Sequence, residues 1–176
     1  GADYQLRIFT PRFESPFAGH PTLGSAHAVL DAGLVTPRDG RIVQQCKVGL
    51  VDVAVPDDWK TAGLSFRLPG HQKTPAPDPE RLLSAMRVAN IRGEASVVDV
   101  GPRWVIVQLH DAAALKGFAP DLPALADYDR AHGTTGLTIF AEDKAEGVLV
   151  RSFAPLDGIA EDPVCGSGNG AVAAYR

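Results

Sequence analysis

The chain has 176 residues, 45% hydrophobic and 22% charged, with a formal net charge of −4, an ordinary composition for one medium domain or two small ones. The acidic balance and the lack of a basic run disfavour a nucleic-acid binder, and no apolar stretch approaches the ~20 residues that a bilayer span needs. Two cysteines, Cys46 and Cys165, make no disulfide framework; with no signal pattern at the start of the chain, the expected location is the reducing cytoplasm.

Tyr4 to Phe9 alternates apolar and polar residues and is expected to be one strand. Pro11 to Gly19 is expected to be a loop. Pro21 suits the first turn of a helix, where its missing N–H has no partner to lose. That helix is expected to end at Gly33, and its small and apolar residues all round (Leu23, Gly24, Ala26, Ala28, Val29, Leu30) predict burial inside the fold. Strands are expected at 42–48 and 50–55, joined at Gly49, and at 64–68. The Pro/Gly-rich stretch from Pro69 to Pro79 is the best domain boundary, with a first lobe at 1–70 and a second at 77–176.

In the second lobe Asp78-Pro79 starts a helix expected to reach about Asn90. Strands follow at 95–100 and 104–109 around Gly101-Pro102. A helix is expected over 121–131, stopping at His132-Gly133, then strands at 137–141 and 147–153. Residues 154–168 read as a loop leading into a helix whose end, Tyr175-Arg176, offers no cap and nothing to pack on. With no initiator Met and the chain opening on a strand pattern, segments are expected to be missing at both ends. Strands outnumber helices without strict β–α alternation, so the class is α+β rather than a doubly wound sheet.

One motif occurs twice. Arg7-Ile-Phe9-Thr-Pro11 is followed by Glu14-Ser-Pro16-Phe-Ala18-Gly19-His20. Arg151-Ser-Phe153-Ala-Pro155 is followed by Glu161-Asp162-Pro163-Val-Cys165-Gly166-Ser167. Each copy runs into a helix of small residues. Two distant copies are unlike a short-period repeat. They imply two similar lobes, each presenting a strand–loop–helix unit, with two facing helix N-termini forming a site.

Gly166-Ser167-Gly168-Asn169-Gly170 is a glycine-rich entry to a helix. It is neither a Walker loop nor G-x-G-x-x-G after a strand. Two readings stand: glycines for a cap and tight packing, or a backbone cradle for a carboxylate. The repeat favours the cradle, because Gly19-His20-Pro21 opens the other helix in the same way. His20 is either a structural hydrogen-bonding residue or a proton shuttle. Glu161 and Asp162 are either caps or, for Asp162, a group that orients His20 or holds a ligand. Cys165, at a helix N-terminus, is a candidate low-pKa base, although Ala18 stands in the matching slot and two-thiol chemistry is therefore improbable. His27, His71, His110 and His132 have no ligand spacing, so no metal is expected. Cys46, Trp104 and Phe118 are assigned to the core.

These residues carry a resemblance. Arg7–Pro11 through Phe17-Ala-Gly-His20-Pro-Thr-Leu-Gly24 resembles the first signature of the phenazine-biosynthesis PhzF family. Gly101-Pro-Arg-Trp104 resembles its middle segment, and Glu161–Ser167 its second signature. The resemblance implies the diaminopimelate epimerase-like fold, with two pseudo-symmetric lobes, each a curled mixed sheet around a central helix. It implies a cofactor-independent isomerase, a homodimer, acting by proton transfer on a small carboxylate such as trans-2,3-dihydro-3-hydroxyanthranilate. His20 then matches the family's site histidine and Asp162 its site aspartate, the two catalytic candidates. Gly19, Gly166 and Ser167 match ligand-contacting turns, with Cys165 and Gly168 beside them as further substrate-binding candidates. The family's principal acid/base, a Glu in an Asn-Leu-Ser-Glu-Thr stretch, is expected before Gly1, and the later part of the second lobe is expected beyond Arg176. The alternatives are an epimerase or racemase using Cys165, and an inactive binding relative.

Overall fold

The computed structural model describes residues 1–9, 14–67 and 70–176. It divides the chain into two units, Gly1–Pro69 and Gly70–Arg176.

In the first unit, strands β1 (Tyr4–Gln5), β2 (Ile8–Phe9) and β3 (Glu14–Ser15) precede helix α1 (Gly19–Asp31). The hairpin β4 (Arg41–Cys46) and β5 (Gly49–Ala54) follows, then the short helix α2 (Trp59–Ala62) and strand β6 (Ser65–Phe66). The expected single strand from Tyr4 to Phe9 is therefore two. Tyr4–Gln5 lies parallel to Gln44–Gln45, whereas Ile8–Phe9 pairs antiparallel with Glu14–Ser15. The expected loop at 11–19 falls partly outside the described residues and otherwise contains β3.

The sheet runs β1-β4-β5-β6. Ile42, Val53 and Val55 pack with Ala26 of α1 to make its core, and Leu50 on the other face is 64% exposed. One covered face and one open face is the usual economy of an antiparallel sheet. Only Thr22 and Ala26 of α1 are buried, while Gly24, His27 and Ala28 are exposed. The expected all-round burial of this helix is thus not what the described residues show, because the sheet covers one stripe of it. Its end is as expected. Gly33 takes φ +65°, and the N–H groups of Gly33 and Leu34 return to the carbonyls of Leu30 and Val29, a Schellman closure. Cys46, expected in the core, ends β4 half-buried.

The second unit begins with strand β7 (Gln72–Pro75), which occupies part of the Pro/Gly-rich stretch. Being exposed along its length, this edge strand tolerates Pro75. Helix α3 (Pro79–Met86) has Asp78 as N-cap, accepting from Arg81 N–H, and stops at Arg87 in the left-handed region, short of Asn90. Strands β8 (Arg92–Asp99) and β9 (Arg103–Gln108) form a hairpin. Helices α4 (Ala112–Lys116) and α5 (Leu122–His132) lead to β10 (Gly136–Asp143) and β11 (Gly147–Ala154). A 3-10 turn (Pro155–Asp157), strand β12 (Ile159–Asp162) and helix α6 (Gly166–Tyr175) complete the chain.

The six strands run β12-β11-β10-β9-β8-β7, with β9 and β10 parallel. Val105, Val107, Leu137 and Ile139 point to one face, where Leu82, Met86, Leu115, Leu125 and Tyr128 from α3, α4 and α5 form the main core. The alternate residues Trp104, Ile106 and Phe140 are also buried. Strands covered on both faces lose the polar–apolar alternation and read as continuous apolar runs. Helix α6 packs against β8, β9 and β10 and buries Ala171 and Val172. Tyr175 meets Phe140 edge-on at 5.6 Å, its hydroxyl donates to Glu94 O at 2.8 Å, and Lys73 Nζ sits 3.9 Å above its ring. The expectation that this helix has nothing to pack on is corrected: the curled sheet receives it.

Candidate active site at two matching helix starts

In each copy of the motif the arginine lies over the ring of the phenylalanine two residues on; Arg151 and Phe153 share one face of β11, whereas Arg7 stands just before β2. Arg7 lies 4.8 Å over the Phe9 ring, and Arg151 lies 5.2 Å over the Phe153 ring. Each guanidinium then grips the motif glutamate in a two-toothed fork. Arg7 donates to Glu14 at 3.0 and 3.1 Å; Arg151 donates to Glu161 at 2.7 and 2.8 Å. The second fork is more deeply set, since Arg151 also donates to the carbonyls of Leu115 and Phe118. These hydrogen bonds, and the opposite charge, hold both glutamate carboxyls below their ordinary range. Glu161, in β12, is thus the ion-pair partner of Arg151, and not the cap expected of an acid at a helix start.

The helices then begin at the same motif position. Ala18 is the N-cap of α1, followed by Gly19 and His20; Cys165 is the N-cap of α6, followed by Gly166 and Ser167. Pro21 is the third helical residue, still within the turn whose N–H groups have no helical acceptor. Ala18 makes no side-chain cap, and His20 is exposed. Gln44 of β4 is fully buried; its amide donates to Thr22 Oγ1 of α1 at 3.1 Å and its oxygen accepts from Tyr4 Oη at 3.0 Å. Gly19 is placed where an added Cβ would come within 3.2 Å of the Phe66 ring.

At the other start, Asp162 is half-buried and accepts from Val164 N–H at 3.0 Å. Cys165 is buried, and its Sγ accepts from Gly168 N–H at 3.3 Å. Burial pushes the Cys165 thiol up, more strongly than hydrogen bonds from Ser152, Gly168 and Ser167 bring it down. This burial works against the low-pKa base expected of a thiol at a helix N-terminus. Gly168 is buried too. A Cβ there would lie 2.6 Å from Ser152 Oγ, 2.8 Å from Thr138 Oγ1 and 2.9 Å from Cys165 Sγ, so this glycine serves close packing over the Thr138–Ser152 hydrogen bond. Cys165 and Gly168, both candidates for ligand contact, form the floor beneath the helix start. Gly166 is exposed and Ser167 half-buried. Gly168 N–H is taken by the cysteine, and the N–H groups of Gly166 and Ser167 have no partner among the described residues.

The second unit thus brings Asp162, Gly166 and Ser167 together, and the first unit carries Gly19 and His20 at the equivalent position of its own helix. Trp104, expected only as core, is a residue that sequence reasoning undervalued. It is 3% exposed, and its indole N–H donates to Ser167 Oγ at 3.0 Å. Its place in the Gly101-Pro-Arg-Trp104 segment was the available signal. A concavity of about 710 Å³ on the first unit, lined by Arg41, Leu50, Asp52 and Arg67, contains none of the expected site residues. It opens on the sheet face remote from α1. Among the described residues no three His, Cys, Asp or Glu side chains gather as metal ligands, and no helix is long and apolar enough to cross a membrane.

Over residues 1–176 the sequence matches the family described as phenazine biosynthesis-like protein, PhzC-PhzF. The chain belongs to this family. It is 37% identical to "Antisense-enhancing sequence 1" of Schizosaccharomyces pombe, covering 99% of this chain and 61% of that protein. It is 34% identical to trans-2,3-dihydro-3-hydroxyanthranilate isomerase of Pseudomonas aeruginosa, covering 98% of this chain and 59% of that enzyme. The chain therefore spans about 60% of the length of these relatives. The PhzF-family protein of Bacillus anthracis superposes with a TM-score of 0.80 at 19% identity, covering 97% of this chain and 60% of that one. A "probable proline racemase" of Agrobacterium radiobacter shares the fold at a TM-score of 0.63 and 14% identity, over 99% of this chain and 56% of that one. The fold is thus the diaminopimelate epimerase-like α+β class of this PhzC-PhzF protein.

Proposed function

We propose that the protein is a cofactor-independent isomerase that moves a proton on a small carboxylate substrate. The observation that carries this reading is the pair of matching helix starts, Gly19-His20 and Gly166-Ser167, in a chain that matches the family over its whole length. Asp162 and His20 are the proposed groups that place or relay protons. Gly166 and Ser167 contribute N–H groups and a hydroxyl to the carboxylate, with the positive helix end adding to the attraction, and Gly19 offers an N–H at the start of its own helix. Cys165 and Gly168 support the second start from beneath. The protein acts in the cytoplasm as a homodimer. The racemase alternative loses ground at Cys165, whose thiol is buried and occupied as a cap.

The test is deuterium incorporation at carbon when the full protein is incubated with trans-2,3-dihydro-3-hydroxyanthranilate in heavy water. Exchange or isomerisation by the wild type, lost in Asp162→Asn and His20→Ala, is expected. Positioned acid/base groups are typically worth ~10²–10⁴ in rate. A wild type inert toward this acid and related dihydro acids overturns the reading; full activity in Asp162→Asn overturns the role of that residue.

A further inference from the structure

Trp104 lies in β9 directly opposite Gly136 of β10 in the parallel register. A Cβ at Gly136 would meet the Phe153 carbonyl oxygen first and also come within 2.9 Å of Trp104 Cζ3, so the glycine lets both the neighbouring strand and the indole approach. The ring's single polar atom, Nε1, is a donor and never an acceptor. It is directed at Ser167 Oγ, 3.0 Å away. With the tryptophan 3% exposed, the serine is the partner that saves this N–H from burial without a hydrogen bond.

This fixes the direction of the next hydrogen bond. Ser167 Oγ must accept from Trp104, so its own proton turns elsewhere. Among the described residues its one other polar side-chain neighbour is Cys165 Sγ, at 3.8 Å, a weak acceptor already receiving Gly168 N–H. A carboxylate oxygen is a far stronger acceptor. We propose that Trp104 is a positioning residue, which holds the Ser167 hydroxyl as a donor toward the substrate carboxylate alongside the free Gly166 and Ser167 N–H groups. The inference rests on the carboxylate reading above and adds to it a residue that touches no substrate.

The experiment measures binding of anthranilate, a stable aromatic carboxylate, and of its neutral amide, 2-aminobenzamide, to the full protein by calorimetry. Trp104→Phe removes the N–H and keeps most of the packing. Benzothienylalanine at position 104 replaces the N–H by sulfur in the same shape, and serves if the phenylalanine variant fails to fold. Either change is expected to weaken anthranilate binding about three- to tenfold, the worth of one hydrogen bond, and to leave the amide within about twofold. Ser167→Ala is expected to weaken anthranilate similarly, and the Trp104 change made in that background to add nothing. Additive losses, or equal losses for acid and amide, mean that Trp104 acts only through packing and overturn the inference. A wild type that binds neither compound overturns the carboxylate reading itself, and this inference with it.

Discussion

Arg151 holds Glu161 through two parallel hydrogen bonds of 2.7 and 2.8 Å, and spends its remaining nitrogen on the carbonyls of Leu115 and Phe118. One guanidinium thus ties α4 and its following turn to β12, the strand that carries Glu161 and Asp162. The equivalent pair, Arg7 and Glu14, makes the same fork with an arginine side chain that is 63% exposed, against 23% for Arg151.

The two forks are expected to differ in energy. Lysine has a single point charge and cannot reproduce a bidentate fork. Arg151→Lys leaves two carbonyls short of a donor and is expected to cost about 1–3 kcal/mol in urea unfolding. Arg7→Lys, at an exposed pair, is expected to cost about 0–1 kcal/mol. Equal losses would show that the arginine's carbonyl contacts contribute nothing.

Gly168 and Gly24 are expected to respond to alanine with opposite signs. At Gly168 the new methyl meets Ser152, Thr138 and Cys165 inside 3 Å, and overpacking of this kind costs about 1–3 kcal/mol. At Gly24, in the middle of α1, nothing lies within 4 Å. Alanine there is expected to stabilise by about 0.5–1 kcal/mol, through helix propensity and a less flexible unfolded chain. Thermal melts of the two single variants decide it.

Asp129 predicts a pH dependence of stability. It is 1% exposed; its Oδ1 accepts from Thr134 at 2.6 Å and its Oδ2 has no partner among the described residues. Its pKa is raised to about 6: burial pushes it up most, the charge of Asp157 adds to this, and the Thr134 bond works against both. A carboxyl whose folded pKa lies above its unfolded value stabilises fully below the unfolded value, and that stability is lost as pH rises through the folded one. Unfolding free energy is therefore expected to fall between about pH 4 and pH 6, by an amount on the order of 2–3 kcal/mol. Asp129→Asn, which cannot ionise, is expected to flatten this slope in denaturant titrations at several pH values. An unchanged slope would assign it to other groups.

Cys165 is expected to be a cap and not a base. Its buried thiol, raised above the ordinary range, should react with iodoacetamide more slowly than half-buried Cys46, as read by peptide mass spectrometry at neutral pH. Cys165→Ser keeps an acceptor for Gly168 N–H and is expected to retain stability, whereas Cys165→Ala costs about 1 kcal/mol. Rapid alkylation of Cys165 with loss of proton exchange would restore the thiol to the chemistry.

Most of the hairpins and caps were legible in the residues themselves. Asp78-Pro79 opens α3, Gly133 ends α5 and Gly33 closes α1, because capping and left-handed turns are local matters of side-chain acceptors and steric freedom. The strand from Tyr4 to Phe9 was less so. Its alternation is real, but the parallel pairing of Tyr4–Gln5 and the separate pairing of Ile8–Phe9 divide it, and pairing partners lie far away in sequence. Helix α4 was missed because Ala112–Lys116 is too short to show a period.

The sequence by itself determined the doubled motif, the family and the place where each central helix begins, since these depend on residue identity and short spacing. Only the tertiary structure decided what the motif residues do. It turned Glu161 into the partner of Arg151, buried Cys165 and Gly168 beneath the helix start, and set Trp104 against Ser167 across 63 positions of chain. Burial and hydrogen-bond direction are properties of what surrounds an atom, and for these residues the surroundings come from strands distant in the chain.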